Sequence, residues 1–210
     1  MTVFLDLDGT LTDPKPGITG SIVYAMGKLG LPCPPADDLT WAIGPALVDT
    51  FAKLGAADPD QALAYYREVY ADTGLFENRV YDGIPAMLAA LRDAGQTLHL
   101  ATAKPHVYAR RITAHFDLAG FMTYEFGPET DGTRNNKGEL LAYALERTGD
   151  DPARCVMIGD RHHDFDAARA VGMASIAVAW GYGSAEERAT ATHICKTPDE
   201  VPGAVRDLIG

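Results

Sequence analysis

The chain has 210 residues, 47% apolar and 22% charged, the composition of an ordinary folded protein that needs neither disulfides nor a structural metal to build a core. Lysine and arginine number 18 against 29 aspartate and glutamate, and the net charge of −11 argues against a nucleic acid polymer or an anionic membrane as partner. The three cysteines, Cys33, Cys155 and Cys195, are too scattered for a disulfide framework or a metal-ligand spacing, and no apolar run approaches the ~20 residues that cross a bilayer. Met1-Thr2-Val3-Phe4 runs at once into Asp6 with no cationic or apolar leader, so the expectation is a soluble cytoplasmic protein.

The first expected element is a short buried strand, Val3 to Leu7. Residues 14–81 then read as helical throughout. Ile18, Ile22, Met26 and Leu29 recur at helical steps before Gly30 supplies a stop. Leu47, Phe51 and Leu54 repeat the pattern and end at Gly55, and Pro59 opens a helix carrying Leu63, Tyr66 and Tyr70. A short helix near Asp37–Ile43 is a weaker reading. From residue 83 helices and strands alternate. Helices are expected over 83–94, 105–116, 137–147 and 164–171, and strands over 97–102, 122–126, 155–159, 175–179 and 193–195. This alternation predicts an α/β fold, a parallel sheet flanked by helices. The helical block interrupts it directly after the first strand. The expected organisation is an α/β core of residues 1–13 and 82–210 with a helical insertion over 14–81.

The strongest chemical signal is Asp6-Leu7-Asp8-Gly9-Thr10. Alternate residues of a strand point the same way, which would set Asp6 and Asp8 on one side near its carboxyl end, where open α/β sheets bind ligands. Two carboxylates so close call for a cation. Gly9 permits a sharp turn that could aim backbone amides at a phosphate. A second signal, Gly159-Asp160-Arg161-His162-His163-Asp164, follows the apolar strand Val156-Met157-Ile158 and brings two more carboxylates to the same edge. Thr102 ends a strand, Lys104 follows it, and Lys137 opens a helix. Four aspartates offset by one lysine need a divalent cation before a phosphate dianion can enter, and hard oxygen ligands suit Mg²⁺ better than Zn²⁺.

In order and spacing these motifs resemble the haloacid dehalogenase superfamily, and the resemblance covers essentially the whole chain. The helical insertion resembles that superfamily's cap of the first type. Tyr81-Asp82-Gly83-Ile84, Ala103-Lys104-Pro105 and Trp180-Gly181-Tyr182-Gly183 are most similar to its phosphoglycolate phosphatase-like branch, which includes enzymes with 5′-nucleotidase activity.

The resemblance implies a Rossmann-like core and a Mg²⁺-dependent phosphatase acting on a small phosphomonoester. Asp6 would be the nucleophile, forming an aspartyl-phosphate, and Asp8 the general acid and base. Thr102 and Lys137 would hold phosphoryl oxygens. Mg²⁺ would be held by Asp6, Asp160 and the main-chain carbonyl of Asp8, with Asp164 as a direct or water-mediated ligand. Gly9, Thr10, Ala103, Lys104, Lys15 and Gly44 would contact the substrate, with Ile18, Trp41, Pro45 and Lys53 as further contacts from the insertion. Ile18 and Trp41 serve equally as core of the helical block, and the lysines as solvated surface.

His162 and His163 are adjacent and cannot share a helix face, so they read as loop or surface residues. Gly181-Tyr182-Gly183 resembles a nucleotide loop but stands alone, and Tyr65, Tyr66 and Tyr70 read as packing. Phosphoglycolate is the first substrate expected and a nucleoside 5′-monophosphate the second. A phosphosugar mutase and a non-catalytic phosphometabolite sensor are the competing readings, and the sensor would lack Asp6 or Asp8.

Overall fold

A computed structural model describes all 210 residues. In chain order it contains β1 (Thr2–Leu5), β2 (Thr12–Asp13), α1 (Lys15–Lys28), α2 (Leu47–Lys53), α3 (Pro59–Val69), β3 (Arg79–Val80), α4 (Ile84–Asp93), β4 (Thr97–Ala101) and α5 (His106–His115). There follow β5 (Tyr124–Phe126), α6 (Lys137–Thr148), β6 (Cys155–Gly159), α7 (His162–Ala170), β7 (Ala174–Val178), α8 (Ala185–Arg188), β8 (His193–Cys195) and α9 (Val201–Ile209). The chain divides into two compact units, residues 1–12 with 80–210, and residues 13–79. No helix is long and apolar enough to cross a membrane.

The larger unit is built on a six-stranded sheet in the order β5-β4-β1-β6-β7-β8, with every pairing parallel. This is the expected α/β class. The chain runs outward from β1 through β4 to β5, then returns to the other side of β1 with β6, so the order reverses at β1. Ligands of such sheets bind outside the carboxyl ends at this reversal. Both faces of the central strands are buried: Val3, Phe4, Leu5, Leu100, Val156, Met157 and Ile158 are all fully enclosed. Phe4, Ala101 and Met157 pack in one cluster with Leu140, Leu141 and Ala144 of α6 and Ala167 and Ala168 of α7. Cys155 and Cys195 are buried in this unit, where loss of solvation pushes both thiols up to about 11.

The first strand is shorter than its sequence suggests. The Asp6 amide still donates to Ile158 O at 2.9 Å, but the Leu7 carbonyl turns aside and accepts the amides of Thr10, Leu11 and Thr12. Asp6 and Asp8 therefore do not share a strand face; a tight turn brings them together. The terminal helix α9 lies beyond the last element expected from the sequence, and it carries Pro202 in its first turn, where a missing amide costs nothing.

The smaller unit is helical. In it α1 packs against α3, the 3₁₀ turn Ala36–Ala42 and the π turn Tyr70–Gly74, and α2 packs against α3. Ile18, Ile22, Met26, Leu39, Phe51 and Leu75 are buried. Tyr66 and Tyr70 are also buried, stacked at 4.9 Å between ring centroids, so they act as packing. Gly17 is required where α1 meets the π turn, because a Cβ there would lie 1.8 Å from the Gly74 carbonyl oxygen.

Candidate active site

Three adjacent strands deliver the charged groups to one edge of the sheet. Asp6 and Asp8 follow β1, Thr102 and Lys104 follow β4, and Asp160 follows β6. Asp164 sits in the first turn of α7 and Lys137 in the first turn of α6. One carboxylate oxygen from each of Asp6, Asp160 and Asp164 lies within 4.8 Å of the others, and all three residues are buried.

Lys137 Nζ lies 2.9 Å from Asp6 Oδ1 and also pairs with Asp164 Oδ1. A helix start disfavours a cation, and Asn136 already caps α6 by accepting the amides of Gly138 and Glu139. The position of Lys137 is thus held by the two carboxylates. Burial alone would lower its pKa, but Asp164 and Asp6 outweigh this and raise it, so the ammonium stays charged. On the other side of the turn, Lys104 Nζ lies 2.8 Å from Asp8 Oδ2. Burial raises the Asp8 pKa, and Asp6 adds to the rise, while Lys104 opposes both.

Asp160 has no such ammonium. Its Oδ2 accepts the Tyr182 amide at 2.7 Å, and its buried Oδ1 has no hydrogen-bond partner. Burial raises its pKa well above 3.8, and Asp164 and Asp6 raise it further. Burial likewise pushes Asp164 up to about 6, against the pull of Lys137. Asp6 Oδ1 and Asp164 Oδ1 meet Lys137 as ion pairs but lack a well-aligned hydrogen bond. Four carboxylates against two ammonium groups leave an excess of two negative charges. Hard oxygens, a bare buried Oδ1 and that excess fit a divalent cation such as Mg²⁺.

Glycines make this geometry possible. Gly9 has φ +80°, and a Cβ there would lie 2.3 Å from Asp160 Oδ2. A Cβ at Gly159 would lie 2.1 Å from Asp164 Oδ2, and one at Gly181 would lie 2.4 Å from Asp160 Cβ. Gly181 and Gly183, set aside in the sequence as a lone nucleotide-like loop, are small because they pack on Asp160.

Two amides of the Gly9 turn are not free to meet a phosphate. The Gly9 amide donates to Thr12 O at 2.8 Å and the Thr10 amide to Leu7 O at 3.2 Å, so both are consumed inside the turn. The buried Thr10 hydroxyl has no hydrogen-bond partner, and the Thr10 carbonyl accepts Trp180 Nε1 at 3.0 Å. Thr102 Oγ1 accepts the Lys104 amide at 3.2 Å, and Ala103 between them is exposed. Lys15 and Gly44 belong to the helical unit, where Lys15 pairs with Asp37 at 2.7 Å and Gly44 has φ +104°. Lys53 lies over the Trp41 ring at 3.9 Å from its centroid. His162 pairs with Glu187, 25 residues further along the chain.

The chain is 43% identical over 198 residues to a 5′-nucleotidase of Pseudomonas aeruginosa, covering 92% of this chain and 90% of that protein. It is 41% identical over 185 residues to the tyrosine-protein kinase PtkA of Mycobacterium tuberculosis, covering 88% of this chain but spanning only 64% of that protein's length. A phosphoglycolate phosphatase of Xanthomonas campestris is 30% identical, covering 86% of this chain and 83% of the relative. Among solved structures, a predicted phosphatase from Clostridium acetobutylicum superposes with a TM-score of 0.93 at 36% identity, covering 99% of this chain and 98% of that one. Residues 1–172 match the haloacid dehalogenase-like hydrolase family, and the chain belongs to that family.

Proposed function

We propose that this hydrolase is a Mg²⁺-dependent phosphomonoesterase acting through an aspartyl-phosphate. The observation that carries the reading is the convergence of Asp6, Asp160 and Asp164 oxygens within 4.8 Å around Lys137, with the Asp8–Lys104 pair beside them. Asp6, Asp160 and Asp164, with the Asp8 carbonyl, would hold the cation, whose bound charge supplies electrostatic stabilisation of the phosphoryl group.

The chain's own groups divide the work as follows. An Asp6 carboxylate oxygen attacks phosphorus as the bond to the leaving oxygen breaks. Asp8 gives its proton to that oxygen, releasing the alcohol. In the second displacement Asp8 takes a proton from water as the water oxygen attacks phosphorus and the bond to Asp6 breaks. Burial supports the first role of Asp8, because it favours the protonated acid. Lys137, Lys104 and the Thr102 hydroxyl bind phosphoryl oxygens and stabilise the charge that develops on them.

Among substrates, we place nucleoside 5′-monophosphates first, supported by 43% identity to a 5′-nucleotidase over nearly the full length of both chains. Phosphoglycolate, the first expectation from sequence, comes second, supported by the 30% identical relative. The test is phosphate release from nucleoside monophosphates, phosphoglycolate and sugar phosphates, with and without Mg²⁺, for the wild type and Asp6→Asn. Mg²⁺-dependent turnover lost in the variant is expected. A wild type inactive across the panel with Mg²⁺ present would refute the assignment.

A further inference from the structure

One segment beside the site has no part in the proposed chemistry. It runs from Trp180 to Arg188 and includes α8, which at four residues is too short to be rigid by itself. Both of its ends are nonetheless fixed. At the first end, Trp180 Nε1 donates to the Thr10 carbonyl at 3.0 Å, tying the segment to the turn that carries Asp8. At the second, Glu187 is held from three directions. Arg161 Nε donates to both of its oxygens at 3.1 and 3.2 Å, His162 Nδ1 lies 2.5 Å from Oε1, and the Ser184 amide donates to Oε2 at 2.8 Å. Arg161 directly follows Asp160, so this anchor grips the chain on the far side of the carboxylate. Just past Glu187, Arg188 Nη1 donates back to the Gly183 carbonyl, and a Cβ at Gly183 would lie 1.8 Å from the Asp160 carbonyl oxygen.

The consequence falls on Asp160. Its two oxygens are not equivalent: Oδ2 accepts the Tyr182 amide, and Oδ1 is buried and bare. We infer that Trp180 and Glu187 are positioning residues, which clamp the 180–188 segment so that the Tyr182 amide engages Asp160 Oδ2 and leaves Oδ1 as the one oxygen presented to the cation. The inference rests on the cation site proposed above. Neither side chain is assigned to the substrate or the reacting atoms. The hydrogen bonds that orient carboxylate ligands typically change metal affinity by about 10–100-fold when removed.

The test is Mg²⁺ titration calorimetry on the full chain, well below the unfolding temperature, for the wild type, Glu187→Ala, Glu187→Gln and Trp180→Phe. Glu187→Ala is expected to weaken Mg²⁺ binding about 10-fold, with kcat at saturating Mg²⁺ within about twofold of wild type. Glu187→Gln keeps an acceptor for the Ser184 amide and should restore part of the affinity. Trp180→Phe removes only the indole donor and should weaken binding several-fold, which keeps the test decisive if Glu187→Ala does not fold. A wild type that binds Mg²⁺ while the folded variants bind it equally well would overturn the inference and leave the proposed function standing. An affinity loss that merely tracks the unfolded fraction seen by circular dichroism would also overturn it. A wild type that binds no Mg²⁺ would remove both this inference and the cation reading beneath it.

Discussion

Without its cation the site stores like-charge repulsion, and Asp160→Asn should release it. Asp160 faces Asp6 and Asp164 with oxygens within 4.8 Å, and unlike them it has no lysine partner. At an effective dielectric of about 20, two unit charges at that separation repel by about 3 kcal/mol. Lys137 offsets much of this through its pairs with Asp6 and Asp164, leaving a net gain of roughly 1–3 kcal/mol for removing the Asp160 charge. Asparagine keeps an acceptor for the Tyr182 amide and turns its NH₂ toward oxygens that need donors. For a chain of this size 1 kcal/mol moves the midpoint by roughly 2–4 °C, so Tm in EDTA at pH 8 should rise by about 2–12 °C.

The pH dependence carries the same sign. Asp160 and Asp164 have folded pKa values raised above 3.8, so the folded protein binds more protons than the unfolded chain between those limits. Stability without metal should therefore fall as pH rises from about 4 through about 6, where Asp164 titrates, and the raised Asp160 carboxyl adds to the fall as it ionises. The variant should show a smaller fall. Saturating Mg²⁺ should reverse the order, adding about 2.7 kcal/mol to the wild type at one hundred times its Kd and little to the variant. The assay is thermal unfolding followed by circular dichroism in EDTA and in Mg²⁺ across this pH range. A variant less stable than wild type in EDTA at pH 8, or one stabilised equally by Mg²⁺, would refute the reasoning.

Lys104→Met should move the Asp8 titration upward, because the ammonium at 2.8 Å is what opposes the rise caused by burial. The basic limb of the kcat/KM–pH profile at saturating Mg²⁺ should shift up, and a limb that stays or moves down would count against Asp8 as the acid. His99 concerns stability instead. Burial lowers its pKa below 6.5 against the pull of Asp150, so the unfolded chain takes up the proton first and stability is lost as pH falls from 6.5 toward the folded value. In Mg²⁺-saturated protein, His99→Asn should flatten Tm against pH between about 7 and 5.5, and an unchanged slope would exclude His99 as a source of the loss.

Most of the larger unit's elements were readable because each is local. Buried strands such as Val156–Ile158 are short apolar runs, and helices such as Lys137–Thr148 carry their own periodicity and stop at Gly149. The carboxylates were readable because Asp6 with Asp8, and Asp160 with Asp164, lie close in sequence next to strands. Relations between distant segments were not. Nothing local in Lys104 shows that it meets Asp8, and nothing in Gly181-Tyr182-Gly183 shows that its glycines make room for Asp160. The fate of the Gly9 and Thr10 amides was hidden for a different reason. A turn can aim its donors outward or close them on itself, and only the position of the Leu7 and Thr12 carbonyls decides which.

The two lysines explain how four carboxylates can occupy one edge of a sheet and still do different things. Lys137 is shared between Asp6 and Asp164, which ties the proposed nucleophile to the proposed metal ligands as a single charged cluster. Lys104 pairs with Asp8, and of these lysine contacts it is the one that reaches the proposed acid. Asp160 is left to a backbone amide, so the negative charge that the lysines do not offset is concentrated where its Oδ1 stands bare. Exchanging the partners would spoil the division: a lysine on Asp160 would compete with the cation, and an Asp8 without Lys104 would hold its proton too tightly to take part in both displacements. Each group's environment, set by which strand or helix start carries it, assigns the task that its chemistry alone leaves open.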